Sequence, residues 1–198
     1  MTNLIAIPNT RIITVSGRIA SGSTTLAKKL AEHLNWRRLE GGDIFWEAVR
    51  KKMNLSPKDT KLRPDEEDVL FEKKQKELLD NEHNLVLESK LAGFVAQDKP
   101  GIFKILVMCE DAEGVDQTQI RIDRLVNREK ISMLDAKEEV LTREKNDVEK
   151  WRRLYAADDP NWTYWNDLYY DIVINTFFHD PDESLHMAIE ALGVKKKN

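Results

Sequence analysis

The feature that most constrains the fold is a β-branched run followed at once by a glycine-bounded loop and an amphipathic segment. Residues 11–16 read R-I-I-T-V-S, which is typical of a buried strand. Residues 24–34 carry leucine and alanine at helical spacing, so one side of this segment is apolar. The order of strand, loop and helix predicts that the free N–H groups of the first helical turn face the loop.

The loop itself has the spacing of a phosphate-binding turn. It reads G-R-I-A-S-G-S-T and matches the frame G-x-x-x-x-G-K-[ST] at both glycines and at the final hydroxyl. We therefore predict that the loop binds the phosphates of a nucleoside triphosphate, and that the hydroxyl of Thr24 joins the ligand shell of a Mg²⁺ ion directly. An ordinary turn before a helix is the alternative. The residues expected to contact the triphosphate are Gly17, Ala20, Ser21, Gly22, Ser23, Thr24 and Thr25.

The rest of the chain alternates strands and helices. Further strands are expected at residues 36–40, 84–88, 103–109 and 171–175, and helices at 43–53, 65–80, 116–155 with a break near 131–133, and 181–192. Such alternation predicts an α/β fold with a parallel sheet of about five strands, whose ligands gather at the carboxyl ends of the strands. We expect one domain over residues 11–192, with flexible ends at 1–10 and 193–198.

Composition excludes several classes of protein. With 198 residues, 41% of them hydrophobic, the chain suffices for one core but not for two. The net charge of −4 disfavours nucleic-acid binding, and no apolar run is long enough to span a membrane. Cys109 is the only cysteine, which excludes an intrachain disulfide and a cysteine-based zinc cluster and predicts a buried core thiol. A cytoplasmic location is expected.

The phosphate loop lacks its usual cation, because Ser23 stands where the frame has lysine. A replacement charge is available further along the chain, where basic side chains recur on helical faces. These faces are formed by Arg121, Arg124 and Arg128, and by Arg143, Asp147 and Lys150. Either they are solvated surfaces, or residues 121–158 form a lid whose guanidinium groups neutralise charge during phosphoryl transfer.

Together these residues resemble the nucleoside monophosphate kinases, most closely the archaeal-type cytidylate kinases. The shared motifs are I-T-V-S-G at 13–17, G-S-T-T at 22–25, G-D-I-F at 42–45, L-E-S-K-L-A-G-F at 87–94, R-E at 128–129 and 143–144, and D-I-V-I-N-T at 171–176. That family commonly carries threonine in place of the loop lysine. The resemblance implies magnesium-dependent transfer of the ATP γ-phosphate to CMP or dCMP, by a monomer or weak homodimer.

The resemblance also implies roles for individual residues. Glu88 would hold Mg²⁺ through water, and Arg124 and Asn175 would lie with ATP. The lid residues Arg128, Arg143, Asp147 and Lys150 would act in catalysis. Residues 41–82 would carry the acceptor-binding helices, and the acceptor contacts would be Asp43, Gln75, Glu88, Lys90 and Gly93. Helical spacing adds Arg50 as a further acceptor contact.

The sequence departs from the family on the acceptor side. Trp46 replaces an arginine for the acceptor phosphate, and Lys90 replaces another. Lysine keeps the charge but loses the planar fork that grips two phosphate oxygens. Arg50, one turn after Trp46, could supply the missing charge, or the indole could stack on the base of a different acceptor. A kinase for another small acceptor and a non-catalytic ATP-binding module therefore stay open as alternatives.

Overall fold

The protein is built on one parallel sheet with helices on both faces. The computed structural model describes residues 4–42 and 64–194. Five parallel strands pair in the order β2-β3-β1-β4-β5. Their bounds are β1 Ile12–Gly17, β2 Arg37–Glu40, β3 Leu85–Glu88, β4 Ile102–Met108 and β5 Ile172–Asn175. The predicted α/β fold is confirmed, and each strand begins or ends within about a residue of its expected position, as is usual for element boundaries.

Helices fill most of the intervening segments. They are α1 Ser23–Leu34, α2 Asp65–Asn81, α3 Ala92–Val95, α4 Thr118–Glu129, α5 Met133–Lys137, α6 Glu144–Tyr155 and α7 Pro181–Ala191. A π-helical turn, Glu138–Arg143, joins α5 to α6, and a 3₁₀ turn, Asp167–Tyr169, precedes β5. The expected break after α4 is confirmed, because Lys130 adopts a left-handed conformation and the side chain of Ser132 caps α5. The helix expected at 43–53 lies outside the described residues.

Two buried clusters cover the two faces of the sheet. Alternate residues of β1 point to opposite faces, so Ile13 packs with α1 and α7, whereas Ile12 packs with Leu79 of α2 and Trp151 of α6. All six residues of β1 are buried. The central strand therefore fixes the position of the loop that follows Gly17 at the carboxyl edge of the sheet.

A third, smaller cluster joins the expected lid to the phosphate loop. Ile122 and Leu125 of α4 pack with Ala136 and Val140, and the partly buried Ile19 and Ala20 rest against them. The segment predicted as a lid thus contacts the loop directly through apolar side chains.

The described part of the N-terminal extension is packed, although the sequence predicts that residues 1–10 are flexible. Ile7 is buried, the amide of Ile5 donates to the carbonyl of Leu34, and the Trp36 indole donates to the carbonyl of Ile5. Periodicity did not reveal this docking because the segment is neither helix nor strand.

Cys109 directly follows β4 and is buried, as predicted. Burial raises the pKa of its thiol, with the nearby Arg124 acting in the opposite direction. A thiol with a raised pKa is a weak nucleophile, which agrees with a structural side chain. Among the residues that the structure describes, no helix is both long and apolar enough to cross a membrane.

Candidate active site

The phosphate loop has the backbone geometry of an anion cradle. A Cβ atom on Gly17 would lie 2.7 Å from the carbonyl oxygen of Val107, and Gly22 has φ +114°, so both positions require glycine. Gly22 caps α1, and no side chain among the described residues caps that helix. The N–H groups of its first turn therefore point into the loop without an intrahelical partner.

In the same protein, the N-terminus of helix α7 is capped by a side chain. At the start of α7 the Asp180 carboxylate accepts hydrogen bonds from the amides of Asp182 and Glu183, forming a capping box. Helix α1 has no such carboxylate, and a bound phosphate would satisfy the same kind of amide. The first-turn amides of α1 are therefore available to bind a phosphate.

Glu88 joins the phosphate loop to the neighbouring strand. It is the last residue of β3, and its Oε1 accepts hydrogen bonds from Ser23 Oγ at 3.0 Å and from Thr24 Oγ1 at 2.8 Å. Burial raises the pKa of the Glu88 carboxyl, and the hydrogen bond from Thr24 opposes that rise. Ser23 thus occupies the lysine position of the frame as a hydrogen-bond donor to this carboxylate.

The oxygen atoms around Glu88 fit a magnesium ion. Glu88 Oε2 is buried and accepts no hydrogen bond from any described residue, although Arg38 Nη1 lies 3.6 Å away. Two hydroxyls and a carboxylate at the edge of a phosphate loop are hard oxygen donors, and Mg²⁺ at such sites takes few protein ligands because it keeps several waters. Thr24 and Glu88 are therefore the residues that would hold the ion.

A cavity of about 800 Å³ opens beside the loop. One wall is formed by Arg124, Asn127 and Arg128 of α4, and another by the segment that follows β5. Thr176 donates to the carbonyl of Ser21 at 2.6 Å, which ties that segment to the loop. The volume and position suit a nucleoside attached to phosphates on the loop.

Sequence comparison connects this geometry to known enzymes. A cytidylate kinase from Pyrococcus horikoshii is 34% identical over 175 residues, which cover 86% of this chain and 82% of that protein. Cytidylate kinases from Methanosarcina barkeri (32%, 83% of this chain and 86% of that protein) and Haloarcula marismortui (30%, 91% and 88%) are similar. The chain belongs to the cytidylate kinase family. It is therefore a kinase, an enzyme that transfers a phosphoryl group. No family model matches the sequence.

Solved structures agree on the fold. A shikimate kinase from Bacteroides thetaiotaomicron superposes with a TM-score of 0.59 at 14% identity, covering 93% of this chain and 99% of that one. A shikimate kinase from Acinetobacter baumannii gives 0.53 at 16% identity, covering 95% and 96%. At such low identity these matches establish the P-loop kinase fold and nothing about the substrate.

Two of the arginines expected to neutralise phosphate instead hold the backbone of the loop. Arg121 has a relative exposure of 0% and donates to the carbonyl of Ile19 at 2.8 Å. Arg124 donates to the carbonyl of Ser21 at 3.3 Å and to that of Thr176 at 2.8 Å. The hypothesis that Arg121 replaces the missing lysine is thus wrong, because its guanidinium is enclosed. Arg124 still lines the cavity, so its expected place beside ATP stays a prediction.

The three remaining lid cations predicted to act in catalysis each pair with a carboxylate. Arg128 Nε lies 2.8 Å from Glu129, and Arg143 Nη1 lies 2.5 Å from Glu139. Lys150 Nζ lies 2.7 Å from Asp68, which brings α6 against α2. These pairs must be exchanged for phosphate oxygens if the cations act in transfer.

The acceptor side is only partly described. Asp43, Trp46 and Arg50 lie outside the described residues. Lys90 Nζ lies 2.8 Å from Asp147 and 5.8 Å from the ring centre of Trp151, so two of the expected site residues meet directly.

The side-chain amides of Gln75 and Asn175 differ in their hydrogen bonding. Gln75 is buried, and neither of its amide atoms has a hydrogen-bond partner among the described residues. Asn175 exchanges two hydrogen bonds with the backbone of Glu110 and accepts a third from the amide of Phe177. Asn175 thus shapes the cavity wall, while the next residue, Thr176, lines it.

Gly93 lies where α3 packs against an aromatic side chain. Its amide donates to Ser16 Oγ at 3.0 Å, and a Cβ atom on it would lie 2.1 Å from Cε1 of Tyr170. Tyr170 cannot retreat easily because its hydroxyl donates to the carbonyl of Tyr164 at 2.5 Å. The structure therefore places Gly93 at a close contact between segments.

We expect Gly93→Ala to lower the free energy of unfolding by about 1–3 kcal/mol, because the added methyl group overpacks this contact. Urea denaturation measures the change. The double variant Gly93→Ala/Tyr170→Leu is the control, since removing the ring should make the alanine nearly neutral. Equal destabilisation of Gly93→Ala in both backgrounds would contradict the assignment to the ring.

Sequence reasoning missed several residues of the site. Phe177, Phe178 and His179 line the cavity, and Arg18 and Glu144 join the loop to α6. The first three could have been found, because they follow the carboxyl end of a strand where ligands gather. The repeated R-E dipeptide pointed to Arg143 as a site residue. In the structure it is the neighbouring Glu144 that is buried and contacts the loop.

Proposed function

We propose that this kinase transfers the γ-phosphate of ATP to CMP or dCMP, giving ADP and the cytidine diphosphate. The observation that carries the proposal is the Glu88 carboxylate, buried at the end of β3, in contact with the hydroxyls of Ser23 and Thr24 in the phosphate loop. A carboxylate in that position suits a magnesium nucleotide, and the family relationship supplies cytidylate as the acceptor.

The chain contributes positioning and electrostatics more than covalent chemistry. The amides of Gly22 to Thr25 would bind the phosphates of ATP, with the positive end of α1 behind them. Magnesium held by Thr24 and Glu88 would neutralise phosphate charge during transfer. An acceptor phosphate oxygen is already ionised at neutral pH and requires no strong base, so orientation of the two nucleotides is the main task.

The expected lid residues would complete the site by changing partners. Arg128 and Arg143 are partly exposed and lie on the segment that packs against Ile19 and Ala20. Exchanging a carboxylate for a phosphate keeps each guanidinium paired. Lys90 on the acceptor side would be released from Asp147, and Lys150 of the lid from Asp68, in the same way.

A panel of acceptors tests the proposal. We expect ADP release, measured by a coupled assay, to show kcat/KM at least about 10-fold higher for CMP or dCMP than for AMP or GMP, or about 1.4 kcal/mol of discrimination. UMP completes the panel, and ATP without acceptor gives the hydrolysis background. If no monophosphate is phosphorylated above that background, the proposal fails. A monomer or weak homodimer, the absence of a nucleic-acid partner and a cytoplasmic location stay predictions.

A further inference from the structure

A buried carboxylate from α6 holds the first half of the phosphate loop. Glu144 has a relative exposure of 3%. Its Oε2 accepts from the amide of Ile19 at 3.0 Å and from Arg121 Nη1 at 3.0 Å. Its Oε1 accepts from Arg18 Nε at 2.9 Å and from Arg18 Nη2 at 2.6 Å. One side chain thus binds both the backbone and a side chain of the loop.

The same cluster engages the other polar group of Ile19. Arg121 donates to the carbonyl of Ile19 while it contacts Glu144 and Asp116, the latter at 3.0 Å. Asp116 also lies 3.0 Å from Arg18 Nη1. Two guanidinium groups and two carboxylates therefore surround the backbone of Ile19, and their charges balance.

Charge and burial make this arrangement rigid. Although burial alone would raise the pKa of Glu144, the charges of Arg121 and Arg18 hold it below its usual value. Separating Glu144 from both arginines would leave a buried charge unpaired, which is costly. The Arg18 guanidinium also lies 4.5 Å from the ring centre of Trp165. This contact restrains the Arg18 side chain in addition to its ion pairs.

The position of Glu144 in the chain connects the loop to the lid. It is the first residue of α6 and directly follows Arg143, an expected phosphate ligand. Movement of the loop at Ile19 and movement of Arg143 are thus coupled through one carboxylate. A loop without the usual lysine has greater need of such support, since no side chain at position 23 bridges to a phosphate.

We propose that Glu144 is a positioning residue that holds residues 18–19 in the conformation that receives the ATP phosphates. It contacts no substrate and acts through the Ile19 amide and the Arg18 side chain. The proposal rests on ATP binding at this loop, as set out under the proposed function.

The first test replaces the carboxylate by its amide. Glu144→Gln should raise the KM for ATP about 10-fold or more while the KM for the acceptor changes less than about 3-fold. The reason is that residues 18–19 lie in the loop that receives the ATP phosphates, so displacing them weakens the binding of ATP and not that of the acceptor. Glu149→Gln is the matched control, since Glu149 lies on the same helix but is more than half exposed. A variant with a lowered melting temperature and an unchanged KM for ATP would show a purely structural role and overturn the proposal.

A second variant covers the case in which Glu144→Gln does not fold. Arg18→Met removes one guanidinium and leaves Glu144 paired with Arg121, so the core of the cluster is kept. We expect weaker binding of a fluorescent ATP analogue and faster amide hydrogen exchange in the peptide that contains Ile19. Unchanged binding and unchanged exchange in this variant would refute the proposal.

The exchange measurement also separates this proposal from the proposed function. It is made on the nucleotide-free protein, so it reports on the Glu144–Ile19 contact whatever the acceptor is. Faster exchange and weaker ATP binding in the variant, with no transfer to any monophosphate by the wild type, would remove the cytidylate assignment alone. Normal transfer to CMP with unaltered exchange would remove the Glu144 assignment alone.

Discussion

Replacing Glu88 by glutamine is expected to lower kcat/KM for phosphoryl transfer by about 10²–10³, equivalent to about 3–4 kcal/mol of transition-state stabilisation. The glutamine carbonyl can still accept the hydrogen bonds that Ser23 and Thr24 donate to Oε1. What is lost is the negative charge beside the expected magnesium ion. The coupled assay, repeated over a range of Mg²⁺ concentrations, should show a weaker apparent affinity for the metal.

The thermal stability of Glu88→Gln provides a second, independent test of the environment of Glu88. Burial raises the pKa of the Glu88 carboxyl in the folded protein, so ionisation at neutral pH disfavours the folded state relative to the unfolded one. That cost is absent at acidic pH and appears as the pH rises through the unfolded-state pKa. Glu88→Gln should therefore melt no lower than the wild type at neutral pH.

Glu82→Gln is the control for Glu88, because this glutamate caps the end of α2 and pairs with Arg37 at the surface. It should retain full activity at every Mg²⁺ concentration. Wild-type kcat/KM in Glu88→Gln would show that the carboxylate has no part in transfer.

Replacing Arg121 by methionine is expected to lower the free energy of unfolding by about 3–5 kcal/mol, because it removes the fully buried partner of the Glu144 carboxylate and leaves that carboxylate with the partly exposed Arg18. The side chain has no exposed surface, and it pairs with both Glu144 and Asp116. Although burial alone would lower the pKa of its guanidinium, those two carboxylates raise it. For a chain of this length the melting temperature should fall by roughly 10 °C.

Arg37→Met serves as the control for Arg121, since Arg37 is half exposed and its ion pair with Glu82 lies at the surface. Surface pairs contribute about 0–1 kcal/mol, so this variant should melt within a few degrees of the wild type. Calorimetry or circular dichroism measures both. A melting temperature for Arg121→Met as high as that of Arg37→Met is the result that would disprove the role given to the buried cluster.

The strands were predictable because burial on both faces leaves a strong sequence pattern. The run at 84–88 was expected as a strand and is one from Leu85 to Glu88, which places the carboxylate at the carboxyl edge beside β1. Glycine spacing likewise identified the phosphate loop, since only glycine tolerates the geometry at positions 17 and 22. Both patterns are local, because each depends only on residues that are close together in the sequence.

The partners of charged side chains were not predictable in the same way. Arg121, Arg124 and Arg128 share one helical face and look alike in the sequence. In the structure Arg121 is enclosed, Arg124 binds loop carbonyls and Arg128 stays at the cavity wall. Helical spacing predicts which residues share a face of the helix. It does not predict which of them are buried by other segments of the chain.

The sequence by itself determined the order of strands and helices, the phosphate loop and the acidic residue at the end of β3. Only the tertiary structure decided that Glu144 and Arg121 support the loop and that Ser23 donates to Glu88. The reason is physical. Backbone conformation follows from neighbouring residues, whereas the environment of a charge depends on segments more than 100 positions apart, such as Arg18 and Glu144.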